Sequence, residues 1–429
     1  MDKVLEYLSK EQHPRYNGMY LPSFFRIDLP KICYEDKVER FYDATDLGLF
    51  VHEYVHYIQN ITTYNGMYWS LLEYRKMKDV FKQVEEASVG SLDLPLPIAD
   101  PKLAIISDRF DYFYKGVDSK TNLIVDSDQW QIRHPTVNMG KLYKVPHIID
   151  LKSGGSFVIS TRHIKESMAF MYQCLIDKDA YDKKGVPTIP YKTLPLLAER
   201  NYPSLAGDFK KLICICYIAL QHECPGSTLF GIMDFARDNP QLDGQALILN
   251  SYVNDRVKYG DKQYTLKQFF ADSITRFKNG LKESIGELDF LDRVLTNADE
   301  GKDLNAMMSI LYTDASGNIN YQDLQSTIDF YEIPFLDDMN NTYYPQKSDK
   351  TGFSEDIIEL LAMQSVYWSI TRKDEEEYQC PFVKECVRNG ADGYICSKKP
   401  WLVDGCKYAD FSNKINLRAK LKPKFKKPI

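Results

Sequence analysis

The stretch FVHEYVHYIQ, residues 50–59, places two histidines and one glutamate in a segment that is otherwise uncharged. Between Asp46 and Glu73 the one residue with a formal charge is Glu53, and the neighbouring side chains are large and mostly apolar. Such a segment is apolar enough to be buried, and the burial of imidazole and carboxylate groups is costly unless partners satisfy them. The sequence therefore predicts a buried helix whose polar residues have a specific role.

The spacing of these residues indicates metal chemistry. His52 and His56 are four residues apart, so on a helix they share one face and their imidazoles can converge on one ion. Glu53 lies at the edge of that face. This is the pattern H-E-x-x-H, in which two histidines bind Zn²⁺ and the glutamate acts as general base. The alternative is a pair of core histidines satisfied by backbone carbonyls, with Glu53 paired to a lysine or arginine.

The segment HEYVH, residues 52–56, resembles the active-site helix of the zincin metallopeptidases. The metzincin extension is absent, because Gln59 and Thr62 occupy the positions of its glycine and third histidine. The resemblance is therefore gluzincin-like, and it implies an α+β fold with a zincin-like catalytic core of a small sheet and active-site helices. It also implies zinc-dependent hydrolysis of protein or peptide substrates, with Glu53 as the base and a glutamate on a later helix as the third ligand.

Two later helices offer a glutamate with an alanine three residues on, which resembles the E-x-x-A element of gluzincin ligand helices. Glu166 is the favoured third zinc ligand, and Glu359 is the alternative. The non-functional alternative is that Glu166 is a solvent-exposed helix residue that forms an ion pair with Lys165 or Arg162. His163 precedes Glu166 by about one turn, and we predict a catalytic role for it at the oxyanion. Metal binding, helix capping or simple surface exposure are its alternatives.

The pattern along the chain divides it into an N-terminal core and a mostly helical remainder. We predict a helix that begins near residues 43–46, capped by Thr45 or Asp46, then a second helix over 67–87, a β-hairpin over 144–161 and a helix over 162–179. The predicted division is 1–190 for the zincin-like core, 191–375 for a helical region that packs on or completes it, 376–411 for a cysteine-rich segment and 412–429 for a basic tail.

The cysteine-rich segment predicts a second metal site. Its four thiols are Cys380, Cys386, Cys396 and Cys406, which lie within 27 residues that contain little to form a core. They suit a structural Zn²⁺ or an iron–sulfur cluster, although the C-x-x-C spacing of common zinc sites is absent. Disulfides and unlinked thiols are the alternatives. The remaining cysteines lie in apolar surroundings and are predicted to be core residues.

Charge and hydropathy argue against a nucleic-acid-binding protein and against a membrane protein. The net charge is −6, and seven basic residues with no acid lie in residues 414–429, so the rest of the chain carries −13. An acidic body is not typical of nucleic-acid binding, and we expect the tail to be a solvated, mobile terminus. Neither a signal peptide nor an apolar run long enough to cross a membrane is present, which predicts a cytoplasmic protein with no membrane contact.

The leading functional prediction is a cytoplasmic zinc endopeptidase. A non-catalytic regulatory or binding protein on a zincin scaffold is the first alternative, and the presence of Glu53 disfavours it because metal binding alone does not need that residue. A di-iron oxidoreductase is the second alternative, since Glu53 and His56 also form E-x-x-H. A di-iron site needs a second such pair, and we find none in the sequence.

Overall fold

A computed structural model of the chain describes residues 19–21, 25–29, 41, 43–115, 130–133, 147–151, 156–259, 261–286, 289–300, 320–338, 341–346, 355–372, 380, 382, 386 and 400–425. The helices are α1 (Ala44–Thr62), α2 (Tyr64–Glu86), α3 (Pro101–Lys115), α4 (Thr161–Ile176), α5 (Thr193–Asn201), α6 (Phe209–Leu220), α7 (Pro225–Asp238), α8 (Gly244–Asn254), α9 (Leu266–Ile285), α10 (Asp289–Glu300), α11 (Tyr321–Tyr331), α12 (Glu355–Thr371), α13 (Lys407–Lys414) and α14 (Leu417–Lys420). The strands are β1 (Met19–Leu21), β2 (Arg26–Leu29), β3 (Trp130–Arg133), β4 (Ile148–Leu151), β5 (Ser156–Val158), β6 (Arg256–Tyr259), β7 (Lys262–Thr265), β8 (Phe335–Asp338) and β9 (Thr342–Tyr343).

Helix α1 contains the opening motif, and it is buried along nearly its whole length from Leu47 to Thr62. The predicted caps were one turn out of place: the side chain of Asp43 accepts a hydrogen bond of 2.8 Å from the backbone N–H of Asp46. An aspartate just before the first helical residue satisfies one of the N–H groups that a helix leaves unpaired. At the other end Thr63 breaks the helix, and its side chain caps α2.

The strands form three small sheets. One has the order β1-β2-β8-β9, with β2 and β8 parallel, so residues 26–29 pair with residues 335–338 from far along the chain. The two strands of the predicted hairpin are present: β4 and β5 are antiparallel, and β3 completes a three-stranded sheet. The predicted turn lies outside the described residues. The third sheet is the pair β6-β7. The hairpin delivers the chain directly into α4.

One continuous hydrophobic core joins these elements, with side chains from α1, α4, α6, β2 and β8. Helix α1 lies inside it, packed against α4, α2 and β2. The fold is a mixture of helices and small sheets in which helices dominate, as the α+β prediction requires. The finer zincin-like assignment and the predicted division of the chain stay predictions.

The basic tail differs from expectation, because the part described, residues 412–425, packs on the body of the protein. Leu417 and Leu421 are fully buried. Lys420 donates hydrogen bonds to the carbonyls of Val84 and Glu85, which are among those that the end of α2 leaves unpaired. Charge alone suggested a solvated tail, whereas the leucines between the charges provide an apolar side that binds to the core.

None of the helices in the described part of the chain combines the length and the apolar composition that crossing a membrane requires.

Candidate metal centre

The two histidines of α1 point their Nε2 atoms at one carboxylate oxygen. The Oε2 atom of Glu166 on α4 lies 3.5 Å from Nε2 of His52 and 3.3 Å from Nε2 of His56. The imidazole rings are nearly perpendicular, with centroids 5.0 Å apart. These three side chains form a group whose possible ligand atoms all lie within 4.8 Å of one another. The predicted grouping of His52, His56 and Glu166 is therefore present in the structure.

The packing of α1 against α4 explains how Glu166 reaches the histidines. At one end of the pair Thr45 donates a hydrogen bond of 3.0 Å to Asp177, and one turn further in Gly48 packs on Gln173. Residue numbers therefore rise on α1 while they fall on α4, so the two helices are antiparallel. Ala169, about one turn after Glu166 on α4, is fully buried, and a small side chain is compatible with close packing of the two helices.

The distances fit a zinc ion. Zinc binds histidine nitrogen and carboxylate oxygen at about 2.0–2.2 Å in a tetrahedron, so two of its ligand atoms are about 3.3–3.6 Å apart. The observed separations of 3.3 and 3.5 Å lie in this interval. Two imidazoles and one carboxylate are also the ligand set of zinc sites that keep a fourth position open for water or substrate. The three residues could therefore hold a metal ion, and their ligand types and these two distances are compatible with zinc.

The charge state of Glu166 suits a ligand. Burial alone would raise the pKa of its carboxyl group, but the charges of His56 and His52 and hydrogen bonds from both rings hold that pKa well below its usual range. The carboxylate is therefore ionised at neutral pH, and its oxygens are available as electron-pair donors. About a quarter of the Glu166 side chain is exposed, against 8% for His52 and 11% for His56, so access to the group is from the Glu166 side.

Glu53 lies on α1 between the two histidines, and only 7% of the residue is exposed. It does not belong to the group of three ligands. A buried carboxylate that is next to a metal ligand in sequence and is not itself a ligand is what the general-base prediction requires. Its catalytic role stays a prediction.

His163 forms part of the cap at the start of α4. Its Nδ1 atom accepts a hydrogen bond of 3.1 Å from the backbone N–H of Ser160 and lies 2.7 Å from the Ser160 hydroxyl. Burial, aided by the charge of Arg162, lowers the pKa of His163 to about 3, so the ring is neutral and carries its proton on Nε2. The ring thus offers an N–H donor and no free nitrogen for a metal. The capping role is observed, and a role at the oxyanion stays a prediction.

Glu359, the alternative ligand, lies on the exposed side of α12. Its side chain is about half exposed and forms an ion pair with Lys414 on α13. The metal-binding group contains Glu166 and not Glu359. The structure therefore favours the assignment of the third ligand to α4.

The cysteine-rich segment lies only partly within the described residues, and Cys396 lies outside them. Of its other thiols, Cys380 is buried, Cys386 and Cys406 are partly buried, and none of the seven described cysteines forms a disulfide. The Sγ atom of Cys406 accepts a hydrogen bond of 3.5 Å from Ala409 and caps α13. Within the described part of the chain, no group of three possible metal ligands includes a cysteine. The four-cysteine site stays a prediction.

Tyr191 is a residue at this site that the sequence did not single out. Its ring centroid lies 5.8 Å from that of His52. The loop that carries it is fixed to α4, because the hydroxyl of Ser167 donates to the carbonyl of Pro190 and accepts from the N–H of Leu194. With 30 tyrosines in the chain, nothing local marks this one, since its place depends on the contact of the loop with α4.

Comparison with known proteins does not assign a family. Protein-family models, curated proteins and solved structures all gave no match to this chain. We therefore infer the function from the site itself.

Proposed function

We propose that this protein is a zinc-dependent peptidase that hydrolyses peptide bonds in proteins or peptides. The observation that carries the proposal is the convergence of His52, His56 and Glu166 on one point, with Glu53 buried beside them. The ligand set leaves a coordination position open, as catalysis requires and a purely structural site does not.

Each residue has a separate role in this proposal. His52, His56 and Glu166 hold the metal, and when bound a zinc ion supplies a Lewis acid that polarises a carbonyl group and acidifies water. Glu53 takes a proton from the attacking water and gives it to the leaving amine. The neutral ring of His163 can donate its Nε2 proton to the developing oxyanion.

A non-catalytic regulatory protein would also use the three ligands, but it has no need for Glu53. Glu53 is a buried carboxylate on α1, on the same helix as the two histidines of the group. The presence of a general-base candidate next to the ligand candidates therefore favours an enzyme over a binding protein.

The test is the variant Glu53→Gln, which keeps the shape of the side chain and removes the base. We expect unchanged zinc content per chain and loss of peptide cleavage by at least about 10²-fold, the usual contribution of a general base. Zinc content is measured by elemental analysis, and cleavage by mass spectrometry of a peptide library.

Glu359→Gln is the matched control, because it makes the same chemical change at an exposed position. It should retain both zinc and cleavage. Loss of zinc from Glu53→Gln would contradict the assignment of Glu53 as a base, and a wild-type protein that binds no zinc would contradict the proposal as a whole.

A further inference from the structure

Gln59 connects one zinc-ligand candidate to the helix that carries another. It is fully buried near the end of α1. Its Oε1 atom lies 3.0 Å from Nδ1 of His56, and its Nε2 atom donates a hydrogen bond of 3.1 Å to the backbone carbonyl of Lys165. Lys165 directly precedes Glu166. The amide of Gln59 therefore touches both halves of the candidate metal centre from behind.

The direction of these hydrogen bonds follows from chemistry. A peptide carbonyl can only accept, so the amide must turn its NH₂ group to Lys165 and its oxygen to His56. An amide oxygen can only accept in turn, so Nδ1 of His56 must carry a proton. An imidazole that binds a metal is neutral and carries one proton, so in that form the free electron pair of His56 is on Nε2. That nitrogen is the one that lies 3.3 Å from Glu166.

We propose that Gln59 is a positioning residue that fixes His56 in the tautomer that binds metal and holds it in register with Glu166. The inference rests on the proposed zinc site and deepens it. Hydrogen-bond partners behind metal-bound histidines fix ring orientation and tautomer, and their removal typically lowers metal affinity about 10–100-fold.

The other histidine lacks this arrangement in the part of the chain that is described. The Nδ1 atom of His52 is buried there without a hydrogen-bond partner. A side-chain hydrogen bond at Nδ1 therefore fixes the orientation of the His56 ring, whereas the His52 ring has no such bond. Among the described residues, Gln59 provides the one side-chain hydrogen bond to an Nδ1 atom of these two histidines, and its loss removes that bond.

The experiment compares Gln59→Leu with Gln221→Leu. Gln221 is a matched control because it is also fully buried, accepts a hydrogen bond from the N–H of Tyr64 and donates one to the carbonyl of Thr62. Both variants lose two buried amide hydrogen bonds, but only Gln59 contacts a candidate ligand. Gln59→Glu is the rescue variant, since a carboxyl group still offers His56 an acceptor.

Two quantities are measured on folded, metal-free protein: the zinc dissociation constant, by competition with a chelator, and the ¹⁵N signals of the histidine rings at about pH 9, where a free imidazole is neutral. The chain has seven histidines, so His56 can be assigned by substitution. We expect Gln59→Leu to weaken zinc binding about 10–100-fold and to reduce protonation of Nδ1 on His56. Gln59→Glu should restore that protonation, and Gln221→Leu should leave both quantities unchanged.

Several results would overturn the inference. These are a His56 ring protonated on Nε2 in the wild type, unchanged zinc affinity in Gln59→Leu, or an equal loss of affinity in Gln221→Leu. A wild-type protein without zinc affinity would instead refute the proposed function, and the ring spectrum would still test the tautomer.

Discussion

Glu166 is the residue that completes the candidate metal centre, because the two histidines of α1 supply only neutral donors. Its carboxylate adds a third bond and a negative charge that compensates the charge of the ion. Burial raises the pKa of Glu166 and the two neighbouring imidazoles lower it, and the net effect holds that pKa well below its usual range.

Replacement of Glu166 with Ala should therefore lower zinc affinity by orders of magnitude and eliminate cleavage. Glu359→Ala provides the comparison, since it removes an exposed carboxylate that forms an ion pair with Lys414. It should leave both properties intact. Zinc occupancy measured side by side decides the assignment: full occupancy in Glu166→Ala with loss in Glu359→Ala would move the third ligand to α12.

The buried ring of His163 should make stability depend on pH. The pKa is about 3 in the folded protein and about 6.5 in an unfolded chain, so below pH 6.5 the unfolded chain binds a proton that the folded one does not. The free energy of unfolding should then decrease as pH falls from 6.5 to 4.5, at up to about 1.4 kcal/mol per pH unit.

His163→Gln is the variant that isolates this contribution, because glutamine is an ordinary partner in such a helix cap and does not titrate. Urea unfolding of zinc-free protein at several pH values measures the slope. The wild type should show a steeper loss of stability towards acid than the variant. Equal slopes would mean that His163 is not held neutral by its surroundings.

At the scale of elements, the sequence was informative where structure is local. The helical spacing of His52 and His56, the two β-rich runs before α4 and the E-x-x-A pattern at Glu166 each need only a few neighbouring residues. The structure contains the corresponding helices and strands. The alanine of that pattern, Ala169, is fully buried on α4.

Contacts between distant segments were not accessible from the sequence. The pairing of β2 with β8 joins segments some 300 residues apart, and strands of four residues carry too little pattern to identify their partners. Gln59 was considered only as the residue that excludes a metzincin motif. The proposed role of Gln59 depends on a hydrogen bond to the backbone carbonyl of Lys165. Every residue has such a carbonyl, so the sequence does not mark this one as a partner.

The start of α4 depends on a close contact with α7. A Cβ atom at Gly226, near the start of α7, would lie 1.9 Å from the carbonyl oxygen of Ile159, immediately before the cap of α4. Gly226→Ala should therefore displace this turn, lower stability and weaken zinc binding, because Glu166 follows within two turns.

Gly231→Ala in the same helix is the control, since nothing lies within 4 Å of the added carbon. It should stabilise the protein by about 0.5–1 kcal/mol through helix propensity. Denaturant unfolding and zinc titration of both variants check the pair. A harmless Gly226→Ala would contradict the close approach of the two elements.

At the scale of the whole molecule, the C-terminal segment is joined to the loop that follows α2 through two kinds of contact. Leu92 and Leu421 form an isolated β-bridge, and the Leu421 side chain is fully buried. On the surface, Lys422 and Lys424 bind Asp93, and their hydrogen bonds lower the pKa of Asp93 to about 2. Exposed ion pairs contribute little to stability, whereas buried leucines contribute much.

Leu421→Ala should therefore lower the free energy of unfolding by about 2–5 kcal/mol, the usual loss for a buried leucine. Asp93→Ala should change it little, although it removes both ion pairs. Chemical denaturation of the two variants tests this order. If Asp93→Ala were the more damaging variant, the tail would be held by charge and not by apolar contact.

The origin of the metal ligands on two helices has a thermodynamic consequence. His56 and Glu166 are 110 positions apart in the chain, so an unfolded polypeptide cannot hold all three ligands around one ion. An ion that needs all three ligands would bind only the folded state and would therefore stabilise it relative to the unfolded state. Mass action then adds about 1.4 kcal/mol of stability for each tenfold rise in free zinc above the dissociation constant. The supply of zinc would thus regulate how long the protein survives as well as whether it works.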